Sequence, residues 1–392
     1  MSSHGWLVAF IVTACLTIGC GGINDAELTQ EELKALGIPT VPGKSDSEAD
    51  GDSPVRQTGF SQPASGAAEG ELKLSLEIGA RFPIQKKIQQ TLEQQGPNGP
   101  IKTQSTLSML FAISIEAEED GRRLMNVHYQ RVRYAHDILG ERVEYDSASP
   151  SDPVPPAAQV YHGLVNNGFR FWLGADNQIA EVLGFDEFLQ NCVRHVPAQH
   201  RQTLLSQIVA TQEDEGFSNF VDNSIGLLPY NPKAAGRETA VKVGQMWEAP
   251  RQLLMRPLPM QLNTHYTLTA LTDEHAFIDI FGTISPARST PMGTDAQTPS
   301  SEQVTLTGGH TVGHCVIFRD TGLPMKSRVE RKIDMQVQFD SRRTFKQHKT
   351  ILTTVEAFPT EKAFLSRRPA QGAAGPPPET SPSGSPHPAT VQ

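Results

Sequence analysis

Alternation of apolar and polar residues with a period of two is the feature that most limits what this chain can fold into. In 328–339, apolar residues occupy every second position from Ile333 to Phe339, and 72–78 and 107–115 alternate in the same way. Successive side chains of a strand point to opposite faces, so each stretch predicts a strand with one buried and one wet face. Such strands are typical of antiparallel sheets. We therefore predict a mainly β domain built on a curved antiparallel sheet or half-barrel.

One central stretch departs from this pattern. Apolar residues from Phe188 to Val209 recur at three- and four-residue spacing, which is typical of amphipathic helices. Pro197 lies between two such runs and predicts a break, because proline lacks a backbone donor and clashes with the preceding turn. The predicted fold class is therefore α+β, mainly β, with a helical insert near residues 185–225.

Two short segments of the chain resemble each other. Residues 76–82 read LEIGARF and residues 241–247 read VKVGQMW, and each precedes a strand pair around an acidic turn. Internal duplication and convergent strand pattern both explain the likeness. Under duplication, two similar β-halves (71–180 and 229–358) flank a helical insert at 181–228.

The N-terminus predicts export. Residues 6–18 form an almost wholly apolar run of 13 residues, and no acidic residue, lysine or arginine precedes Asp25. A spanning helix needs about 20 residues, so the run fits the apolar core of a signal peptide in 1–19. The following Gly19-Cys20 resembles the bacterial lipobox, which implies lipidation of Cys20. We expect a lipid anchor to a membrane facing the periplasm or exterior; a secreted soluble protein is the alternative.

Two segments flank the predicted domain. Residues 20–70 are rich in Gly, Ser, Asp, Glu and Pro, and 366–392 contain seven prolines. Both have too little apolar surface to offset the entropy of ordering, so we predict a tether after Cys20 and a disordered tail. The β-rich domain then spans 71–358, which is long enough to bury its own core.

Charge and motifs exclude several function classes. The net charge is −9, so nothing indicates a nucleic-acid partner. The sequence contains no G-x-S-x-G, S-x-x-K or H-E-x-x-H, and we predict no catalytic residues, no cofactor and no enzymatic activity.

Four further residues are weak site candidates. His310 and His314 are weak metal candidates, because on one strand they lie about 13 Å apart, too far to share an ion, and only a tight turn would bring them together. We therefore predict no metal. Cys192 and Cys315 are expected either to form a disulfide in an oxidising compartment or to be two free buried thiols.

The order of several motifs resembles a known family. The segments FRFWLGADNQI (169–179), VLGFDEF (182–188), VKVGQMW (241–247) and FRDTGLP (318–324) are similar to a domain-of-unknown-function family of secreted bacterial proteins and lipoproteins. The resemblance covers 70–358, and Gln245 stands where the family usually has Asp. The family has no established activity, so the resemblance implies no catalytic residues.

These observations together favour a non-enzymatic binding or scaffolding lipoprotein at the cell envelope. Its expected partners are the membrane, through the lipid anchor, and an envelope protein, glycan or lipid. One alternative is a carrier of lipid or another hydrophobic ligand in a β cavity, which a deep apolar groove would favour. The other is an envelope-polymer hydrolase, which a polar cleft with converging Asp, Glu or His would favour.

Overall fold

The structure is a computed structural model, and it describes residues 69–96, 99–138, 140–174, 179–210, 240–255, 258–286, 303–340 and 343–358. The predicted signal peptide, Cys20, nearly all of the predicted tether and the predicted tail lie outside these residues.

Long antiparallel strands make up most of the described chain. Two short strands form a separate pair: β1 (Glu69–Glu71) and β8 (Ala240–Lys242). The main sheet has twelve strands: β2 (Arg81–Gly96), β3 (Gly99–Glu119), β4 (Arg122–Ile138), β5 (Glu141–Asp146), β6 (Gly168–Leu173), β7 (Ile179–Leu183), β9 (Met246–Met255), β10 (Leu258–Leu271), β11 (His275–Pro286), β12 (Gln303–Phe318), β13 (Pro324–Asp340) and β14 (Arg343–Ala357).

Among the described residues, three helices lie between strands of the sheet. After a 3₁₀ turn (Pro156–Ala158) come α1 (Gln159–His162), α2 (Phe185–Val193) and α3 (Ala198–Ala210). The predicted helical insert is thus confirmed up to residue 210, with its break at Pro197, and 211–225 lies outside the described residues. No described helix has both the length and the apolar character needed to cross a membrane.

The sheet is a meander whose first and last long strands meet. Its order is β7–β6–β4–β3–β2–β14–β13–β12–β11–β10–β9, with β5 also paired to β4. The β2–β14 pair joins the two halves of the chain in the middle of the sheet. The sheet stays open, with β7 and β9 at its edges, and the prediction of a mainly β, curved antiparallel sheet is confirmed.

Strand β12 contains the backbone irregularity that a strongly bent sheet needs. Its register with β13 shifts between Leu306 and Gly308, and Gly308 has a φ of 153°. A β-bulge of this kind increases local twist. At Gly309, a Cβ atom would lie 2.3 Å from the Lys332 carbonyl oxygen, so no larger residue fits without a shift. Glycine in a strand interior marks such close backbone approaches.

One face of the sheet carries the main core, and we call it the inner face. A single cross-strand row shows this burial, because directly opposed residues point to the same side of a sheet. From β10 to β4 the row contains Leu268, Ile278, Cys315, Ser327, Val355, Lys86, Met109 and Val132, none of them more than 4% exposed. Helix α2 packs on this face, where the ring of Phe188 stacks on Tyr129 at 5.9 Å.

The segment between β1 and β2 runs across the ends of the strands. The strand predicted over 72–78 is wrong, although Leu72, Leu74 and Leu76 are buried as their alternation indicates. The Ser75 N–H donates to the Thr321 carbonyl, in the turn after β12, rather than to a neighbouring strand ladder. An apolar segment can thus alternate like a strand while its backbone bonds to turns.

The two similar sequence segments form the same turn. In each, a glycine with positive φ (Gly79 at 79°, Gly244 at 85°) lies third in the turn, as a type II turn requires. The same three backbone hydrogen bonds occur in both turns. In the first they run from Ala80 N–H to Glu77 O, from Gly79 N–H to Ile115 O and from Ile115 N–H to Ala80 O. In the second they run from Gln245 N–H to Lys242 O, from Gly244 N–H to Leu268 O and from Leu268 N–H to Gln245 O. Duplication of the β-halves stays a prediction.

Candidate functional site

A row of polar residues crosses the inner face from one half of the sheet to the other. From β10 to β5 the directly opposed residues are Thr264, Gly282, Thr311, Arg331, Ile351, Gln90, Ser105, His136 and Val143. Six of these nine positions are polar, and we call the set the polar row. With about 4.8 Å between strands, it extends roughly 38 Å along the sheet.

The polar row lies on the same face as the main core. Thr311 precedes buried Cys315 by four residues in β12, and Arg331 follows buried Ser327 by four residues in β13. Residues an even number of positions apart share a face of a strand, and four residues correspond to about 13 Å. The row therefore lies about 13 Å along the strands from the buried row of the core.

Apolar residues flank the polar row on both sides. The main core lies toward the end of the sheet where β2 begins. Toward the other end lies a second apolar cluster, made of Met260, Leu262, Ile284, Leu306, Ile333 and Met335. The inner face therefore alternates on a larger scale, from apolar to polar to apolar.

Several polar atoms of the row are buried without a partner among the described residues. They include the Oγ1 of Thr311, whose residue is 2% exposed, and the Oε1 of Gln90. The Oγ1 of Thr103, two residues from Ser105 in β3, is also buried without a partner among the described residues. Buried polar atoms of this kind cost free energy unless a protein group, a water or a ligand satisfies them.

Positive charge lies at the centre of the inner face. Arg331 belongs to the row and is partly exposed, as are its neighbours Ile351 and Gln90. Lys349 is 5% exposed and lies two residues before Ile351 in β14, on the same face, where it is opposed by Ile333 and Leu92. The middle of the row is thus its most accessible part and also its most cationic.

His136 lies next to the β5 end of the polar row and is uncharged near pH 7. The Nδ1 of His136 lies 3.0 Å from the Tyr134 hydroxyl, and Tyr134 in turn packs against Tyr161 of α1 at 4.4 Å between ring centroids. Burial lowers the pKa of His136, although the nearby carboxylates of Glu141 and Asp137 raise it. Near pH 7 this imidazole is therefore neutral and offers one donor and one acceptor.

A second histidine cluster holds α1 between β5 and the residues after α2. The Tyr145 hydroxyl lies 2.5 Å from His162 Nδ1, and the rings of His162 and His195 meet edge to face at 4.4 Å. Burial lowers the pKa of both imidazoles, with Arg194 adding to the effect on each. Burial raises the pKa of Tyr145 to about 12, so all three groups are uncharged near neutral pH.

The histidines considered as metal candidates lie apart from this face. His310 is opposed by Lys332 and Thr283, and His314 by Arg328 and Asp279, so each stands beside a cationic residue. Burial lowers the pKa of His314. Both lie on one strand, four positions apart, and no tight turn brings them together. Within the described ranges, no group of three or more His, Cys, Asp or Glu is placed to hold a metal.

Both mature-domain cysteines are free thiols in the structure. Cys192 in α2 and Cys315 in β12 are each 1% exposed. Burial raises the pKa of Cys192 to about 12, against the opposing effect of the Asn167 amide, whose Nδ2 lies 3.6 Å from the sulfur. Of the two alternatives for these residues, the structure therefore has the pair of buried thiols.

The polar row was not foreseen from the sequence, although part of its signal is there. Gln90, Ser105 and Arg331 each occupy a position where the alternating pattern calls for an apolar residue. Such interruptions identify polar residues on a buried face. They do not show that residues from nine strands stand in one line.

Comparison with known proteins identifies a family and no activity. The model of a family of unknown function, DUF6263, matches residues 120–324, slightly more than half of the chain. No curated protein matches the sequence.

The solved structures that match the chain are distant. One is lipovitellin, from a study of lipid–protein interactions, with 11% identity and a TM-score of 0.42 over 73% of this chain, which spans only 26% of the lipovitellin chain. Others are an outer-membrane channel from Pseudomonas putida F1 (8% identity, TM-score 0.18, 73% of this chain and 97% of that one) and OccK5 from Pseudomonas aeruginosa (6%, 0.17, 72% and 100%). At these TM-scores the likeness carries no argument about function.

Proposed function

Because the chain belongs to DUF6263, a family of unknown function, we propose its function from the geometry of its own sheet. The domain is a non-enzymatic binding module, and its inner face takes an elongated amphiphilic ligand with an anionic group. This proposal joins the binding module and the hydrophobic-ligand carrier, the first two hypotheses favoured by the sequence.

The observation that supports the proposal is the polar row between two apolar regions. An amphiphile places its apolar chain against the partly exposed Leu92, Val304 and Ile351 that border the second apolar cluster, and its polar group on the row, so each part of the ligand meets matching chemistry. A ligand donor satisfies Gln90 Oε1, and a ligand donor or acceptor satisfies Thr311 Oγ1, which removes the cost of burying them unpaired. Arg331 favours a carboxylate or phosphate through charge-assisted hydrogen bonds.

A fluorescent fatty acid tests this binding directly. We expect 11-(dansylamino)undecanoic acid to bind the full chain saturably, with a blue shift of the dansyl emission. Thr311→Val keeps the side-chain shape but removes the hydroxyl, and Arg331→Met removes the charge; together they are expected to weaken binding by at least tenfold.

Thr305→Val is the matched control, since Thr305 is an exposed residue of the same strand. Unchanged affinity in the Thr311→Val, Arg331→Met variant, or an absence of saturable binding, would contradict the proposal. Native mass spectrometry that finds co-purified lipid supports a carrier over a scaffold.

We also propose that the protein is a lipoprotein of the cell envelope, anchored to a membrane through Cys20. The support is the uncharged start of the chain, the apolar run of 6–18 and the small residue before Cys20. Two or more acyl chains give stable membrane anchoring, whereas one chain does not. Globomycin is expected to cause accumulation of a slower-migrating precursor, and Cys20→Ser is expected to abolish labelling with radioactive palmitate. A precursor whose mobility globomycin leaves unchanged would contradict lipidation.

A further inference from the structure

A polar cleft lies between the start of β6 and helix α2, separate from the polar row. Its volume is about 370 Å³, within the range of small-ligand sites. We infer that this cleft is a binding site for a neutral saccharide of one or two rings. The inference is independent of the proposed function, because no lining residue of the cleft belongs to the polar row or to the second apolar cluster.

The sheet wall of the cleft is built around a β-bulge. The register of β3 with β4 shifts between Ile115 and Ala117, so Glu116 is the extra residue of the bulge. Bulges re-aim side chains and are frequent beside functional sites. The Asn126 Nδ2 donates to Glu116 Oε1 at 2.9 Å, and Arg170 Nη1 lies 3.7 Å from Glu116 Oε2. Asn126 and Arg170 stand directly opposite each other, so the three side chains form one continuous surface.

The helix wall of the cleft carries Glu187 and Asn191. These residues are four positions apart in α2 and therefore lie on one face of the helix, one turn from each other. The two walls together offer two carboxylates, two carboxamides and one guanidinium. Donors and acceptors thus lie on both sides of the space.

The two walls are held in a fixed relation by Asn167. Its Nδ2 donates to the Phe188 carbonyl of α2 at 2.9 Å and to the Gly163 carbonyl after α1 at 3.2 Å. Its Oδ1 accepts from the Gly168 N–H at the start of β6, also at 2.9 Å. Asn167 is 8% exposed, and this buried link means that a ligand meets a preformed cleft.

The chemistry of the lining selects among ligand classes. Two carboxylates against one guanidinium disfavour an anion, and an apolar ligand would strip water from charged groups without replacing their hydrogen bonds. The Glu116–Arg170 pair already balances one negative charge, and its side chains are 36% and 53% exposed, so both still have free hydrogen-bonding capacity toward the cleft. A saccharide supplies hydroxyls that both donate and accept, and an N-acetylated sugar adds an amide that matches Asn191.

Calorimetric titration of the full chain with N,N′-diacetylchitobiose, a neutral saccharide of two rings, tests the site. We expect saturable binding with one site per chain. Asn191→Ala is expected to weaken it about tenfold, the effect of one lost hydrogen bond to a ligand. Gln190→Ala is the matched control, because Gln190 is the neighbouring exposed amide in α2 and does not line the cleft. Alanine is a good helix former, so both variants are expected to retain the helix.

Three outcomes would overturn the inference. The first is the absence of saturable binding. The second is spermidine or decanoate binding at this site, judged by sensitivity to Asn191→Ala, when diacetylchitobiose does not bind. The third is saccharide binding that Thr311→Val weakens and Asn191→Ala leaves unchanged, because this places the sugar on the inner face. Since Asn191→Ala and Thr311→Val report on different sites, failure here and failure of the amphiphile proposal are distinguishable.

Discussion

Asp146 is the residue on which the β4–β5 hairpin depends electrostatically. Arg131 donates to both of its carboxylate oxygens, at 3.1 Å from Nε and 2.7 Å from Nη2, and Arg133 Nε donates at 2.8 Å. The side chain of Arg131 is 8% exposed, so its charge depends on this partner. Burial alone would raise the pKa of Asp146, but the hydrogen bonds from Arg131, the Ala148 N–H and Arg133 hold it at about 2.

Replacing Asp146 by asparagine is expected to lower the free energy of unfolding by about 2–3 kcal/mol, because it removes the carboxylate charge that pairs with the buried Arg131 guanidinium. Urea denaturation at pH 7 measures the loss. Glu144→Gln is the control: Glu144 pairs with Arg142 on the same hairpin, but both are about half exposed, so its loss is expected below about 0.5 kcal/mol. Equal losses in the two variants would contradict this account.

Because the pKa of Asp146 is lowered in the folded protein, we expect the stability to depend on pH. A folded-state pKa of about 2, below the ordinary value of 3.8, means that the unfolded chain binds the proton more readily. The contribution of Asp146 is therefore fully present above about pH 4 and is lost as the pH falls through about 2. We expect the difference in the free energy of unfolding between wild type and Asp146→Asn to become smaller as the pH falls from about 4 to about 2. If the two unfolding free energies differ by the same amount from pH 7 to pH 2, the pH dependence does not come from Asp146.

At the scale of elements, α1 and α2 pack backbone against backbone at Gly163. Gly163 at the end of α1 has an ordinary φ of −67°, yet a Cβ there would lie 2.2 Å from the Cys192 carbonyl oxygen. Gly79 is the opposite case, with a φ of 79° and nothing within 4 Å of its Cβ position. One glycine is therefore required by contact and the other by backbone conformation.

This contrast gives a paired prediction. Gly163→Ala is expected to cost about 3 kcal/mol, because two backbone segments must separate. Gly79→Ala is expected to cost about 1 kcal/mol, from positive φ alone. Urea denaturation gives the two energies, and limited proteolysis of Gly163→Ala is expected to show faster cleavage in the α1–α3 region. If Gly163→Ala lowers the free energy of unfolding less than Gly79→Ala does, close backbone contact is not the reason for glycine at 163.

At the scale of the whole molecule, the last strand in sequence is central in space. Strand β14 pairs with β13 along one side and with β2 along the other. The family match over 120–324 excludes β2, β3 and β14, the strands that stand between β4 and β13 in the sheet. The matched stretch alone therefore cannot form the observed sheet.

Truncation of the chain tests this arrangement. Ending the chain after residue 340 removes β14 and exposes the paired edges of β13 and β2, so we expect loss of cooperative thermal unfolding by circular dichroism. Ending it after residue 365 removes only the predicted disordered tail and is expected to leave the melting temperature within about 2 °C of wild type. A cooperative transition in the shorter chain would show that the two halves of the sheet fold independently.

The sequence by itself determined the local features of this protein. The alternation in 328–339 and 107–115 identified strands and their buried faces, and Pro197 marked the break between α2 and α3. These features depend on the geometry of one short segment and on which of its faces meets water. Over 72–78 the same alternation misled, because burial follows the pattern whether or not the backbone pairs in a ladder.

Only the tertiary structure decided which residues meet. Gln90 and Arg331 are far apart in the chain, yet both stand opposite Ile351, and Glu116 reaches Arg170 through a bulge that no local pattern indicates. Strand order and register depend on contacts between distant segments, and a register shift of one residue moves a side chain to the other face. The polar row and the cleft are products of that register, which is why the sequence contained their residues without showing the sites.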